Sequence, residues 1–273
     1  MALVDMNFYS RYLGNGHHVS IILPDSPWGP REAVKPFYES GKKYKVLWLL
    51  HGTSGDHSDW VRYTQIETFA TERDLIVVMP SGLDANYENW PTFATGFHMY
   101  DYLTEELMPM VHNWFPASDK KEDNYIAGLS MGGRGTFKYI LGHPDKFAAG
   151  AVLSQSPRNF DELKWKDGYP TNYMGARAIN MVNNAGGQEA FLASRENTWQ
   201  KVIDMHEEGT LPKLFCCCGT KDSLYPQYKA FKKMCQDKGI PITFEEKKGY
   251  QHEWCFWNMM IERALEFFEI PKK

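Results

Sequence analysis

The sequence predicts an α/β fold, a mostly parallel sheet with helices on both faces, and three observations carry that expectation. Short apolar runs alternate with amphipathic stretches. A Gly-Leu-Ser-Met-Gly corner joins one such run to one such stretch. One long segment then interrupts the alternation.

Residues 19–23, 44–50, 75–79, 124–127, 148–153, 214–218 and 242–246 read as buried strands, being short, apolar and rich in β-branched or aromatic side chains. Between them the period changes from two to about 3.6. Ile66, Phe69 and Ala70 share one helical face, and Tyr102, Leu103, Leu107, Met110, Val111 and Trp114 form a longer stripe. Phe137, Ile140 and Leu141 follow Ser130, while Tyr228, Phe231, Lys232 and Cys235 follow Asp222. A last helix is expected over about 254–268, with Phe256, Met260, Ala264, Leu265 and Phe268 near one face. Strands alternating with helices imply right-handed crossovers and a sheet covered on both sides.

Residues 155–210 contain no convincing strand, although 188–193 and 198–206 are helix-like. The stretch carries Trp165, Tyr169, Tyr173 and Trp199 and is too long for a plain connection. It reads as a cap insertion over the carboxyl edge of the sheet. Without repeats, low-complexity tracts or a linker, residues 1–273 read as one domain.

Composition narrows the function. The 273 residues are 43% hydrophobic and 23% charged, which excludes a disordered or fibrous chain. Lys and Arg number 30 against 34 Asp and Glu, so there is no basic surplus to bind phosphate, and nucleic acid is not an expected partner. The best apolar run near the start, 19–23, is far short of the ~20 residues that span a bilayer. No membrane association is therefore expected, and without an export-type start the expected compartment is the cytoplasm. Of the five cysteines, Cys216, Cys217 and Cys218 are adjacent, so on a strand they face opposite sides and do not share a metal. Small apolar fillers in a reducing compartment fit them best.

The chemistry centres on Gly128-Leu129-Ser130-Met131-Gly132. A strand turning sharply into a helix puts its serine at the apex, and flanking glycines let neighbouring backbone pass close by. A hydroxyl needs a base to become a nucleophile. In the Ser–acid–His order of such corners, His143, His206 and His252 are available. His143 ends the helix after Ser130, and His206 lies on a polar stretch of the cap segment. His252 lies between the last strand and the last helix, at the carboxyl edge where Ser130 emerges, and is the expected base. The acid that orients it should follow a strand. Asp222, after 214–218 and a glycine turn, fits better than Asp161, Asp167, Asp204 or Asp237, although it could also cap the next helix. Oxyanion donors are expected from the Met131 and Thr53 backbone N–H groups, with Gly52 giving the substrate access. His51, ending a buried strand before that glycine, reads as structural. Trp60, Trp90, Trp165 and Trp254 are candidates to stack on an aryl acid or a sugar ring.

These residues together resemble the α/β-hydrolase superfamily. Within it they resemble the esterase D branch of tributyrin-type esterases, S-formylglutathione hydrolases, and the acetylxylan and feruloyl esterases of the first carbohydrate esterase family. The resemblance covers most of the chain. It rests on Leu50-His51-Gly52 with Gly55 and Asp59-Trp60, on Tyr102-Leu103-Thr104-Glu105-Glu106-Leu107, on Gly128 to Gly133, on Cys218-Gly219-Thr220-Lys221-Asp222, and on His252-Glu253-Trp254. It implies the α/β-hydrolase fold, a Ser130–Asp222–His252 triad, and an oxyanion hole from Thr53 and Met131. It further implies a serine carboxylesterase acting through an acyl-enzyme, with no metal or organic cofactor. Small-molecule or oligosaccharide esters are the implied substrates, with acetyl or feruloyl groups on plant-derived sugars as examples. Where formylglutathione hydrolases carry a cysteine-bearing segment, this chain has Thr53-Ser54-Gly55-Asp56-His57, which weakens a thioesterase reading. That thioesterase, an acyltransferase on the same triad, and a non-catalytic hydrolase-like interaction protein are the alternatives. A homo-oligomer stays open.

Overall fold

The computed structural model describes residues 1–26, 28–160 and 173–273. The first two strands, β1 (Ala2–Ser10) and β2 (Asn15–Leu23), form a hairpin. The short α1 (Val34–Tyr38) leads to β3 (Val46–Leu50), then α2 (Asp59–Tyr63), α3 (Ile66–Thr71) and β4 (Ile76–Pro80). Two-residue strands β5 (Asn89–Trp90) and β6 (Phe97–His98) pair with each other outside the main sheet. After α4 (Met99–Asp101) the helix widens into a π-turn over Tyr102–Leu107 and continues as α5 (Met108–Trp114). Pro109 has no N–H to return to the preceding turn, which accounts for that widening. Next come β7 (Asn124–Leu129), α6 (Met131–Gly142) and β8 (Ala149–Leu153). Among the described residues of the interrupting segment three helices follow, α7 (Tyr173–Asn184), α8 (Gln188–Leu192) and α9 (Thr198–Glu207). The chain closes with β9 (Lys213–Gly219), α10 (Tyr225–Lys238), β10 (Thr243–Lys247) and α11 (Trp254–Phe267).

The main sheet runs β1-β2-β4-β3-β7-β8-β9-β10. Every pairing from β4 to β10 is parallel, and only the β1–β2–β4 edge is antiparallel. Alternation along each strand divides the core in two. Trp48, Leu50, Ile126 and Val152 point to the face covered by α5, α6 and α10, whereas Leu47, Leu49, Ala127 and Phe215 point to the face covered by α2, α3 and α11. The cysteine run obeys the same rule, with Cys216 and Cys218 in the first layer and Cys217 in the second. All seven expected strands are present; β1 is an addition that residue composition did not announce. Its inward side is Val4, Met6 and Phe8, but its outward side mixes Leu3, Asp5, Asn7 and Tyr9, so no continuous apolar run marks it.

Candidate active site

Parallel strands deliver their loops to one edge, and the expected site residues lie on those loops. Ser130 sits between β7 and α6 with φ 51° and ψ −115°, a left-handed conformation that only a tightly braced turn holds in a non-glycine residue. The bracing is steric. A Cβ on Gly128 would lie 2.4 Å from the Gly132 backbone, and one on Gly132 would lie 2.4 Å from the Leu50 carbonyl oxygen. Both must therefore be glycine for α6 to start so close to β3. The Ser130 N–H donates to the Leu153 carbonyl at 2.9 Å, which ties the apex to β8.

Asp222 follows β9 with its carboxylate buried. Its Oδ2 lies 2.8 Å from His252 Nδ1, and its Oδ1 accepts the Leu224 N–H at 2.8 Å. It thus orients the imidazole and braces the entry to α10 at once. Burial alone would raise this carboxyl's pKa. Hydrogen bonds from His252, Leu224 and Ser154, with the nearby imidazole charge, outweigh that and hold it below the ordinary Asp range. An ionised carboxylate only accepts, so the neutral imidazole carries its proton on Nδ1 and leaves Nε2 with a lone pair.

A cleft of about 350 Å³ is lined by Gly52, Thr53, Ser130, His252, Trp254 and Trp257, among others. Ser130 and His252 therefore face one space. Thr53 borders it from the loop after β3, where a Cβ on Gly52 would meet the Leu129 side chain at 2.6 Å. Met131 is buried as the first residue of α6, so its N–H belongs to the unpaired helix N-terminus. His51 is fully engaged: Nδ1 lies 2.6 Å from the Gly52 carbonyl, and Nε2 accepts the Gly82 N–H at 2.6 Å. Among the described residues, His252 is the histidine that lines this cleft.

The four aromatic candidates separate. Trp254 lines the cleft, stacked at a tilt on Tyr63 with ring centroids 4.9 Å apart. Trp60 lies behind it, fully buried and edge-on to Trp254 at 5.5 Å, with its indole N–H on the Leu50 carbonyl. It supports the wall and does not reach the cleft, a correction to the sequence expectation. Trp90 is likewise turned away, donating to the Ala85 carbonyl at 2.9 Å beside β6. Trp165 lies outside the described residues.

Three contributors were missed. Trp257, one turn into α11, packs edge-on to the His252 ring at 4.9 Å and donates its indole N–H to Ser154 Oγ at 2.9 Å. Ser154, at φ 52° just past β8, donates its hydroxyl hydrogen bond to the Asp222 carboxylate. A polar residue at the carboxyl end of an expected strand was the available signal. Arg177 of α7 donates to Thr53 Oγ1 at 2.5 Å and to the Asn86 amide oxygen, linking the interrupting segment to the Thr53 loop. Nothing in the local sequence announces that long-range contact.

The chain is similar to known proteins over nearly its whole length. The Esterase family model matches residues 10–267. An acetyl esterase of Caldicellulosiruptor saccharolyticus is 28% identical over 273 residues, with 98% of each chain covered. Among solved structures, the fluorophosphonate-binding serine hydrolase FphF of Staphylococcus aureus is 32% identical, with a TM-score of 0.78 and 98% of each chain covered. The S-formylglutathione hydrolase FrmB of Staphylococcus aureus is 31% identical, with a TM-score of 0.77 and the same 98% of each. No helix among the described residues is long and apolar enough to cross a membrane. The chain belongs to the Esterase family, has the α/β-hydrolase fold, and is a serine carboxylesterase.

Proposed function

We propose that Ser130 is the nucleophile, His252 the general base and Asp222 the orienting acid of hydrolysis through an acyl-enzyme. The observation that carries this reading is the Asp222–His252 hydrogen bond of 2.8 Å. It stands over a cleft shared with a serine at a braced positive-φ apex. His252 Nε2 takes the hydroxyl proton as Ser130 Oγ attacks the ester carbonyl. The N–H groups of Thr53 and Met131 receive the developing oxyanion, each worth about 10²–10³ in rate. The imidazolium then protonates the leaving alcohol, and water repeats the sequence on the acyl-serine.

The substrate we assign is an ester of a small acyl group, acetyl or cinnamoyl in type, on a sugar or small alcohol. A cleft of about 350 Å³ is at the small end for ligand sites and suits a short acyl group. Trp254, Trp257 and Tyr63 offer an aromatic wall. The likeness to an acetyl esterase supports the acyl size. Residues 155–210 act as a cap on a single hydrolase domain, an assignment supported by the Arg177–Thr53 contact. The 31% identity to an S-formylglutathione hydrolase favours thioester cleavage as a second reading.

The test is Ser130→Ala assayed on acetyl, butyryl and feruloyl esters beside a thioester and an amide, with fluorophosphonate labelling of both forms. Turnover of the preferred ester should fall by at least about 10⁴-fold and labelling should vanish. Ordinary turnover in the variant would overturn the assignment. A thioester preference in the parent would move it to the second reading.

A further inference from the structure

The β1–β2 hairpin carries a cluster that the ester chemistry leaves unused. In its antiparallel register Asp5 opposes Ser20 and Asn7 opposes His18, so strand alternation puts all four side chains on one face. His57, on the loop between β3 and α2, lies against this face. Its ring stacks on that of His18 at 5.3 Å with the planes 17° apart. Asp5 Oδ1 stands 3.7 Å from His18 Nδ1 and 4.0 Å from His57 Nδ1, and the three ligand atoms lie within 4.8 Å of one another. Among the described residues no other trio of His, Cys, Asp and Glu converges in this way.

We infer that Asp5, His18 and His57 form a site for a divalent transition-metal ion of the zinc class, with water in the fourth position. Two imidazole nitrogens and one carboxylate oxygen are a donor set that zinc favours. Ligands of a tetrahedral zinc at about 2.1 Å stand roughly 3.4 Å apart, so modest rotations of the exposed Asp5 and His18 toward the half-buried His57 close the cluster. Outer partners are already present. Asn7 Nδ2 lies 2.5 Å from His18 Nε2. A half-turn of that amide presents its oxygen to an Nε2–H and leaves Nδ1 with its lone pair toward Asp5. Ser20 Oγ, 2.7 Å from His57 Nδ1, yields that nitrogen's lone pair to the ion and turns its hydroxyl to accept from the metal-bound water. Such an ion would clasp the hairpin to the segment that continues from Thr53 into α2. Its role is structural, because none of the three ligands lines the ester cleft.

The experiment titrates Zn²⁺ into the tag-free full chain by calorimetry and follows Tm, with Co²⁺ as a visible-absorption probe of tetrahedral N/O coordination. One ion per chain and a Tm rise of roughly 3–8 °C at saturation are expected. His18→Gln and Asp5→Asn should each weaken binding at least about tenfold. His18→Gln should keep its metal-free esterase rate within about twofold. No Zn²⁺ binding to the parent, or binding unchanged in both variants, overturns the site. Two substitutions on separate strands keep the result readable if one of them fails to fold.

Discussion

At the scale of single residues, Ser154 joins several parts of the arrangement around Asp222 although it does not line the cleft. Its hydroxyl accepts a hydrogen bond from the Trp257 indole N–H and donates one to the Asp222 carboxylate, while its backbone N–H donates to the Cys217 carbonyl at 2.8 Å. Ser154→Ala should lower kcat about tenfold with little change in KM, the effect of losing one hydrogen bond to a charged group. A pH series separates this from mere loss of packing. Asp222 is depressed in the fold, so its contribution to stability is full above the ordinary Asp range and is lost as pH falls through the folded value. The stability gap between parent and Ser154→Ala, read by urea denaturation, should therefore be widest near neutrality and narrow in acid. That Ser130, Asp222 and His252 would meet at one sheet edge was legible because the proposed chemistry dictates residue type and chain order. Ser154 and Trp257 were not, because their roles depend on which strands lie side by side.

Among the elements, the strand-to-helix corner is the least tolerant of change. The amino end of α6 passes so near the β3 carbonyls that Gly132→Ala sets a methyl against fixed backbone, not against a side chain that can swing away. Tm should drop by about 5–10 °C in a thermal melt, and more than for an alanine at Gly209, just past the C-cap of α9, where the surroundings are open and only the backbone's φ of 69° opposes a side chain. The central strands could be read from sequence because burial on both faces demands unbroken apolar runs. β1 escaped because its outward side is free to be polar. The long stripe ending at Trp114 was legible as helix, but its π-turn was not: Leu103 and Leu107 keep the apolar rhythm while Pro109 alters the hydrogen bonds beneath it.

For the whole molecule, a buried ion cluster joins the interrupting segment to the helix that starts at Ser130. Lys138 of α6 contacts Glu88 and Glu196, each at 2.5 Å, and donates to the Asn86 carbonyl at 3.0 Å. Glu196 comes from the turn between α8 and α9, so one ammonium links segments far apart in sequence. Burial raises the Glu88 carboxyl even with Lys138 beside it. In Lys138→Met that carboxyl loses its counter-charge, and a loss of about 3–5 kcal/mol at pH 8 is expected by urea denaturation. A carboxyl raised by folding holds its proton where the unfolded chain has released it, so stability falls as pH climbs through that window. The deficit of Lys138→Met should accordingly shrink toward pH 5.

The cysteine run has a separate bearing on how the molecule ages. The three thiols of the run, Cys216, Cys217 and Cys218, and that of Cys235 on α10 are sealed inside, and burial raises each well away from the reactive thiolate. Only Cys255 meets solvent. An oxidant that reaches β9 has arrived while the two helical layers were parted, so damage there is a written history of past excursions from the closed state.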